Sequence, residues 1–122
     1  MPTLLVFLGA GLGGALRHGV ILLAVRLGSP FPWGTMGINI VGSIAMGLVT
    51  GWFAMRGGPI HARLFLATGI LGGFTTFSTF SLEAFLLVER GATLAALAYV
   101  GASVLCGIAG LAAGLLVMRQ VL

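Results

Sequence analysis

The sequence predicts an all-α integral membrane protein with four transmembrane helices. Two observations carry this prediction: the apolar composition and the spacing of the breaks between apolar segments. Of the 122 residues, 59% are hydrophobic and only 7% are charged, and the mean hydropathy is +1.19. Soluble domains carry about 25% charged residues. No polar stretch remains for a soluble domain, so residues 1–122 are expected to form a single integral membrane domain.

The four spans follow one another with short breaks. A helix needs about 20 predominantly apolar residues to cross a bilayer, and the sequence predicts spans at about 3–25, 34–55, 62–89 and 92–118. The breaks at 26–33, 56–61 and 89–91 contain arginine with proline or glycine. No basic region precedes the first apolar stretch, so no cleaved signal peptide is expected.

The third span is longer than the others and has an unusual middle. Residues 62–89 would extend about 42 Å as a helix, against a hydrocarbon core about 30 Å thick. Tilting would absorb this excess, and so would a break at Gly72-Gly73, which five hydroxyl residues and three phenylalanines follow. Backbone freed from a helix at membrane depth is tolerated only in protein or beside a polar cavity. We therefore predict a broken third helix that forms a polar site.

Polar and small residues recur at helical spacing in three spans. Each of these spans has one such face. It includes Asn39 and Ser43 in the second span, Thr76, Thr79, Phe80 and Glu83 in the third, and Tyr99 and Ser103 in the fourth. These faces are compatible with a polar path between the helices. They are equally compatible with close packing, because small residues and hydroxyls also join membrane helices. The cluster at 75–81 favours function, since packing does not require so many hydroxyls.

The arginines give only a weak signal for orientation. Four spans place Arg26 and Arg90 on one side of the membrane and Arg56, Arg63 and Arg119 on the other. Orientation follows the asymmetry of Lys and Arg, and two against three is a small asymmetry. The count is compatible with one orientation or with insertion both ways round, which would permit an antiparallel homodimer.

Several functional classes are disfavoured. The arginines are scattered singly, which argues against nucleic-acid binding, and no side-chain cluster has metal-ligand spacing. The segment 9–14 matches GxGxxG, but a dinucleotide site needs an acidic residue about 20 positions later, and the first acid is Glu83. An enzyme is not expected. Arg17, inside the first span, either extends to the membrane surface or attracts anions to a vestibule.

Three motifs resemble the CrcB/Fluc fluoride channels over essentially the whole chain. Gly13-Gly14-Ala15-Leu16-Arg17-His18 resembles the GGxxR[YH] element of the first span, and residues 34–42 (GTMGINIVG) resemble GTxxxNxxG of the second. Residues 69–80 (GILGGFTTFSTF) resemble the very specific GxxGGxTTFSTF signature.

This resemblance implies a dual-topology homodimer in which two antiparallel subunits form two fluoride pores in a bacterial or archaeal cytoplasmic (inner) membrane. It implies a structural sodium ion at the dimer centre, held by backbone carbonyls of Gly72 and Thr75. The implied fluoride pathway, with Arg17 added as the vestibule arginine, comprises Asn39, Phe77, Phe80, Thr79, Tyr99 and Ser103. Gly107 departs from the pattern, because some relatives carry a hydroxyl there, and His18 replaces the commoner tyrosine.

Elementary chemistry agrees with an anion path. Fluoride is strongly hydrated, so a pore must replace its water with donors such as amides and hydroxyls, and aromatic rings offer positive edges. An inside-negative potential contributes about 2.3 kcal/mol per charge per 100 mV. A passive channel would therefore suffice to export cytoplasmic fluoride and give fluoride resistance.

Two other functions remain as alternatives. A four-span proton-coupled exporter of organic cations would have a similar length, but it needs a carboxylate in the membrane, typically in the first span, where this chain has Arg17. A structural subunit would use the cluster at 75–81 only for packing. Replacing Phe77 or Asn39 distinguishes the latter, because assembled dimers that lose transport would exclude it.

Overall fold

The computed structural model describes residues 1–122 and is entirely helical. The first helix is Pro2–Val25, the second is Trp33–Arg56, and the fourth is Thr93–Val121. The third span reaches from Ile60 to Glu89, and all four are long and apolar enough to cross a membrane. The all-helical membrane fold predicted from the sequence is confirmed.

The breaks contain the turn chemistry that stops these helices. Gly57 directly follows the second helix with φ of 69°, and Gly91 follows the third span with φ of 84°. Positive φ is strained for residues that carry a Cβ, so glycine at these positions ends each helix with little strain. The short turns bring consecutive helices back through the membrane in opposite directions.

The third span consists of two helical halves joined by three non-helical residues. Its first half (60–74) begins as α-helix at Ile60–Arg63, continues as π-helix at Leu64–Leu71 and ends in the turn Gly72–Phe74. The second half is Ser78–Glu89. We call residues 75–77 the link, in which Thr75 is extended, with φ of −82° and ψ of 158°.

The glycine pair is not where the helical hydrogen bonding stops. Gly72 is helical, with φ of −63° and ψ of −37°, so a break at Gly72-Gly73 is wrong by about one turn. The reason for glycine is packing: a Cβ on Gly73 would overlap the carbonyl of Ala10 in the first helix. The sequence analysis did not predict the π-helical stretch.

Two helix pairs account for most of the packing. The second helix packs along the fourth, and the first packs on the first half of the third span. Backbones approach closely at Gly47, where a Cβ would overlap the carbonyl of Leu111, and at Gly13, where it would overlap that of Ile70. Only 16 of 122 residues are buried, and many large apolar side chains, among them Phe7, Leu94 and Leu105, are exposed, as expected of a chain surrounded by lipid.

Candidate functional site

Asn39 holds the link in place. Its side-chain Nδ2 donates to the Thr76 carbonyl at 2.9 Å, and its Oδ1 accepts from the Thr76 N–H at 2.9 Å. The second helix thus satisfies both backbone groups of a residue that has left the helical pattern. Because unsatisfied backbone groups are costly at membrane depth, this pair of bonds explains how the link persists there.

Thr75 and Thr76 close the two helix ends that meet at the link. Thr75 donates both its backbone N–H and its hydroxyl to the Leu71 carbonyl, and the Thr76 hydroxyl accepts from the N–H of Thr79. The first half therefore ends, and the second half begins, within three residues. Helix C-termini carry partial negative charge and N-termini partial positive charge, so the link lies between two ends of opposite polarity.

A cavity of about 310 Å³ lies against the link. Its walls combine amide, hydroxyl and aromatic groups from the second helix, the third span and the fourth helix, including Asn39, Ser43, Phe77, Phe80 and Ser103. The hydroxyl of Ser103 is buried and has no hydrogen-bond partner. We call this space the link cavity, and it can offer hydrogen-bond donors to a small anion.

Two phenylalanines of the link cavity form a pair. The ring centroids of Phe77 and Phe80 are 5.8 Å apart at an interplanar angle of 48°. Phe80 also packs against the ring of Tyr99, at 5.2 Å. Phe77 is 79% exposed, so one member of the pair projects from the surface of the chain while the other is held between helices.

A larger cavity of about 580 Å³ also borders the link, at Thr76. Arg17, His18, Thr79, Glu83 and Arg90 line it, and Thr76 lines both cavities. The Arg17 guanidinium approaches the Thr75 carbonyl at 3.5 Å, so it turns towards the link. We call this space the vestibule; its two arginines against one glutamate favour anions.

Tyr99 is separated from both cavities. Its side chain is completely buried, its hydroxyl has no hydrogen-bond partner, and it lines neither cavity wall. Phe31 meets its ring edge-on, with centroids 5.6 Å apart. The residues predicted for one pathway therefore fall into three places: Asn39, Phe77, Phe80 and Ser103 at the link cavity, Arg17 and Thr79 at the vestibule, and Tyr99 in the core.

The comparisons with known proteins agree on one family. Residues 4–115 match the family model described as "CrcB-like protein, Camphor Resistance (CrcB)". The chain belongs to the CrcB family. It is 73% identical over 121 residues to the "Fluoride-specific ion channel FluC" of Methylobacterium nodulans, with 98% of each chain covered. The protein of the same name in Methylobacterium sp. (strain 4-46) is 64% identical, and the alignment covers 98% of each chain. The one in Hyphomonas neptunium is 54% identical, and the alignment covers 97% of this chain and 95% of the relative. The CrcB/Fluc resemblance is confirmed, and these ion-channel names agree with the prediction that the chain is not an enzyme.

Within this CrcB chain, the motif of the second helix has a mechanical explanation. Gly42 closes the GTxxxNxxG element, and a Cβ there would overlap the Thr75 side-chain methyl. Glycine thus admits Thr75, while Asn39, nearly one turn earlier, binds Thr76. The motif is the surface of the second helix on which the link rests.

The structure also brings forward a residue that the sequence analysis passed over. Thr35 is buried, and its hydroxyl donates to the Glu83 carboxylate at the vestibule wall. The sequence contained one signal for it: Thr35 lies four residues before Asn39, on the same helical face. Thr76 was expected on a helical face with Thr79 and Glu83, but it lies in the link, outside the helix.

Proposed function

We propose that this CrcB-family chain is a fluoride-selective passive channel that works as an antiparallel homodimer and exports cytoplasmic fluoride. The observation that carries the proposal is the link cavity, where Asn39, Ser103 and Phe80 meet. The relatives named as fluoride-specific channels cover nearly the whole chain, which supports the same reading.

Fluoride would lose water gradually in the link cavity. Asn39 uses one amide hydrogen on Thr76, and an amide nitrogen carries two, so a second donor remains for an ion. Ser103 contributes a hydroxyl without a protein partner. The positive ring edges of Phe77 and Phe80 complete an anion-compatible wall, and Thr79 adds a donor at the vestibule.

Ser43 would compensate for the absent hydroxyl at Gly107. A Cβ on Gly107 would lie 3.6 Å from the Ser43 hydroxyl oxygen, and Ser43 lines the link cavity. The second helix therefore supplies a hydroxyl next to the place where some relatives carry one on the fourth helix. This makes Ser43 an additional member of the proposed pathway.

Arg17 would draw anions into the vestibule. Two guanidinium groups, those of Arg17 and Arg90, line this cavity together with the single carboxylate of Glu83. A cleft lined mainly by one sign of charge concentrates ions of the opposite sign. Since Thr76 borders both cavities, the route from vestibule to link cavity passes the link.

The end of the first half fits a structural sodium ion. The last carbonyls of a helix lack intrahelical partners, and Gly72 is exposed, with no side chain over its backbone. Backbone carbonyls are hard oxygen ligands suited to alkali ions. Gly72 and Thr75 would hold the ion together with the same residues of a second copy, and the ion would supply positive charge between the two chains.

A dimer would cover surface that is open in the single chain. Phe77 is 79% exposed, although it belongs to the link, and Gly72 and Ser78 are also exposed. An antiparallel partner would bury the link and complete the cavity walls. The cytoplasmic membrane is the proposed location, because an inside-negative potential there drives fluoride outwards.

Anion efflux from proteoliposomes tests the proposal. Purified protein is reconstituted at low density, and fluoride and chloride release are followed in parallel with ion-selective electrodes. We expect rapid fluoride release with negligible chloride release, and loss of fluoride release in Phe80→Ala protein that still elutes as a dimer. Folded dimers that release no fluoride, or both anions equally, would contradict the function.

A further inference from the structure

An apolar groove opens on the outer surface at one end of the molecule. Its volume is about 320 Å³, and six apolar residues from three helices line it: Leu48, Val49, Trp52, Phe53, Leu66 and Met118. Trp52 is 47% exposed and Leu66 is 38% exposed, so the groove opens outwards. It shares no residue with the link cavity or the vestibule.

Three arginines lie at the same end as this groove. Arg56 follows Phe53 by three residues on the second helix, Arg63 precedes Leu66 by three residues, and Arg119 directly follows Met118. Residues three or four apart share a helix face, so Arg56 and Arg63 each lie on the face that lines the groove. The alternating direction of the helices puts all three arginines at one membrane surface.

The positive charge at this end has no partner in the chain. None of these three guanidinium groups makes a side-chain hydrogen bond, whereas Arg17 and Arg90 at the other cavity do. Both acidic residues, Glu83 and Glu89, lie in the second half of the third span, which ends at the opposite surface. The groove is thus apolar along its length, and three arginines without side-chain hydrogen bonds lie near its membrane-surface end.

We propose that this groove binds an anionic phospholipid, with one acyl chain along the apolar wall and the phosphate group among Arg56, Arg63 and Arg119. Basic pockets between membrane helices recognise anionic head groups, and tryptophan at the membrane interface marks the depth at which a head group meets its chains. The site is separate from the proposed fluoride pathway, and its test does not depend on transport.

Trp52 provides a direct reporter for the site. The chain has two tryptophans, and Trp33→Phe leaves Trp52 alone in the groove wall. This variant is reconstituted in phosphatidylcholine vesicles that contain, at equal mole fraction, either acyl-brominated phosphatidylglycerol or acyl-brominated phosphatidylcholine. Bromine quenches tryptophan on contact. We expect stronger quenching of Trp52 by the brominated phosphatidylglycerol.

Charge variants then identify the head-group contacts. In the Trp33→Phe background, Arg56→Gln, Arg63→Gln and Arg119→Gln are each expected to reduce the preference for phosphatidylglycerol, and the triple variant is expected to abolish it. Arg26→Gln is the matched control, because this arginine lies in the turn after the first helix and also makes no side-chain hydrogen bond; its preference should equal that of the parent.

Three results would overturn the proposal. Equal quenching by the two lipids would show an ordinary lipid-facing surface without head-group selection. Absence of quenching by either lipid would show that a second copy of the chain covers the groove. A preference that survives the triple substitution would show that the three arginines do not hold the phosphate group. Elution of each variant as the parental dimer establishes that it is folded.

Discussion

Asn39 is the side chain tied most closely to the link, because it binds both the carbonyl and the N–H of Thr76. Asn39→Ala would leave both backbone groups without a partner. Each buried polar group left unsatisfied costs about 1–3 kcal/mol, so we expect a lower midpoint of thermal unfolding in detergent. We also expect slower fluoride efflux, because the link would lose its fixed position and the cavity a donor.

Two further variants separate these effects. Thr50→Ala is the control on the same helix, since Thr50 is exposed and makes no side-chain hydrogen bond; its unfolding midpoint should match that of the parent. Asn39→Asp retains an acceptor for the Thr76 N–H but brings a negative charge to the cavity. It should unfold between the parent and Asn39→Ala, and conduct no fluoride. An Asn39→Ala protein as stable as Thr50→Ala would refute the anchoring role.

Residue spacing predicted which polar side chains share a helix face, but not what each one contacts. Asn39 and Thr76 are 37 positions apart, and no periodicity within one helix indicates that the two will meet. The burial of Tyr99 away from both cavities has the same cause, because it depends on Phe31 and Phe80 from other segments. Local patterns identify faces, whereas tertiary packing decides partners.

At the scale of helices, the glycines of segment 9–14 test how the first helix meets the third span. A Cβ on Gly13 would overlap the Ile70 carbonyl, while one on Gly11 would meet nothing within 4 Å. Gly13→Ala should therefore lower stability by about 1–3 kcal/mol through overpacking. Gly11→Ala should be neutral or stabilise by up to about 1 kcal/mol, because alanine favours helices.

Thermal unfolding of the two variants in the same detergent makes this comparison. Both substitutions add one methyl group to the same helix two residues apart, so a difference between them reports the contact with the third span alone. Equal midpoints for the two proteins would mean that the first helix is free to move away from Ile70, contrary to the close approach in the structure.

The helices themselves were largely predictable, because apolar length and terminal glycines are local properties. The predicted segments differ from the observed helices by at most three residues at either end. The position of the link was not predictable, since it depends on Gly73 fitting against Ala10 and on Gly42 making room for Thr75. Nothing in the sequence of the third span indicates either contact, and its glycine pair suggested an earlier break.

At the scale of the whole molecule, the surface of the single chain is that of one subunit of a larger assembly. Its core centres on Met36, Leu87, Ala96 and Tyr99, while Phe77 of the link is exposed. The arginines divide two against three between the two surfaces, so added charge on either surface should be able to fix the orientation. These two properties together support the proposed antiparallel dimer.

Added lysines test this dimer. Leu27→Lys with Thr93→Lys adds charge at one membrane surface, and Ile60→Lys with Gln120→Lys adds it at the other; all four positions are exposed. Because positively charged ends remain in the cytoplasm, each protein expressed alone should insert one way round and give little fluoride efflux from cells. Co-expression should restore efflux, since each protein supplies the orientation that the other lacks. The neutral controls are Leu27→Gln with Thr93→Gln, and Ile60→Gln with the native Gln120; each should conduct alone. Lysine variants that each conduct fully alone, with no gain on co-expression, would show that the working channel needs only one orientation.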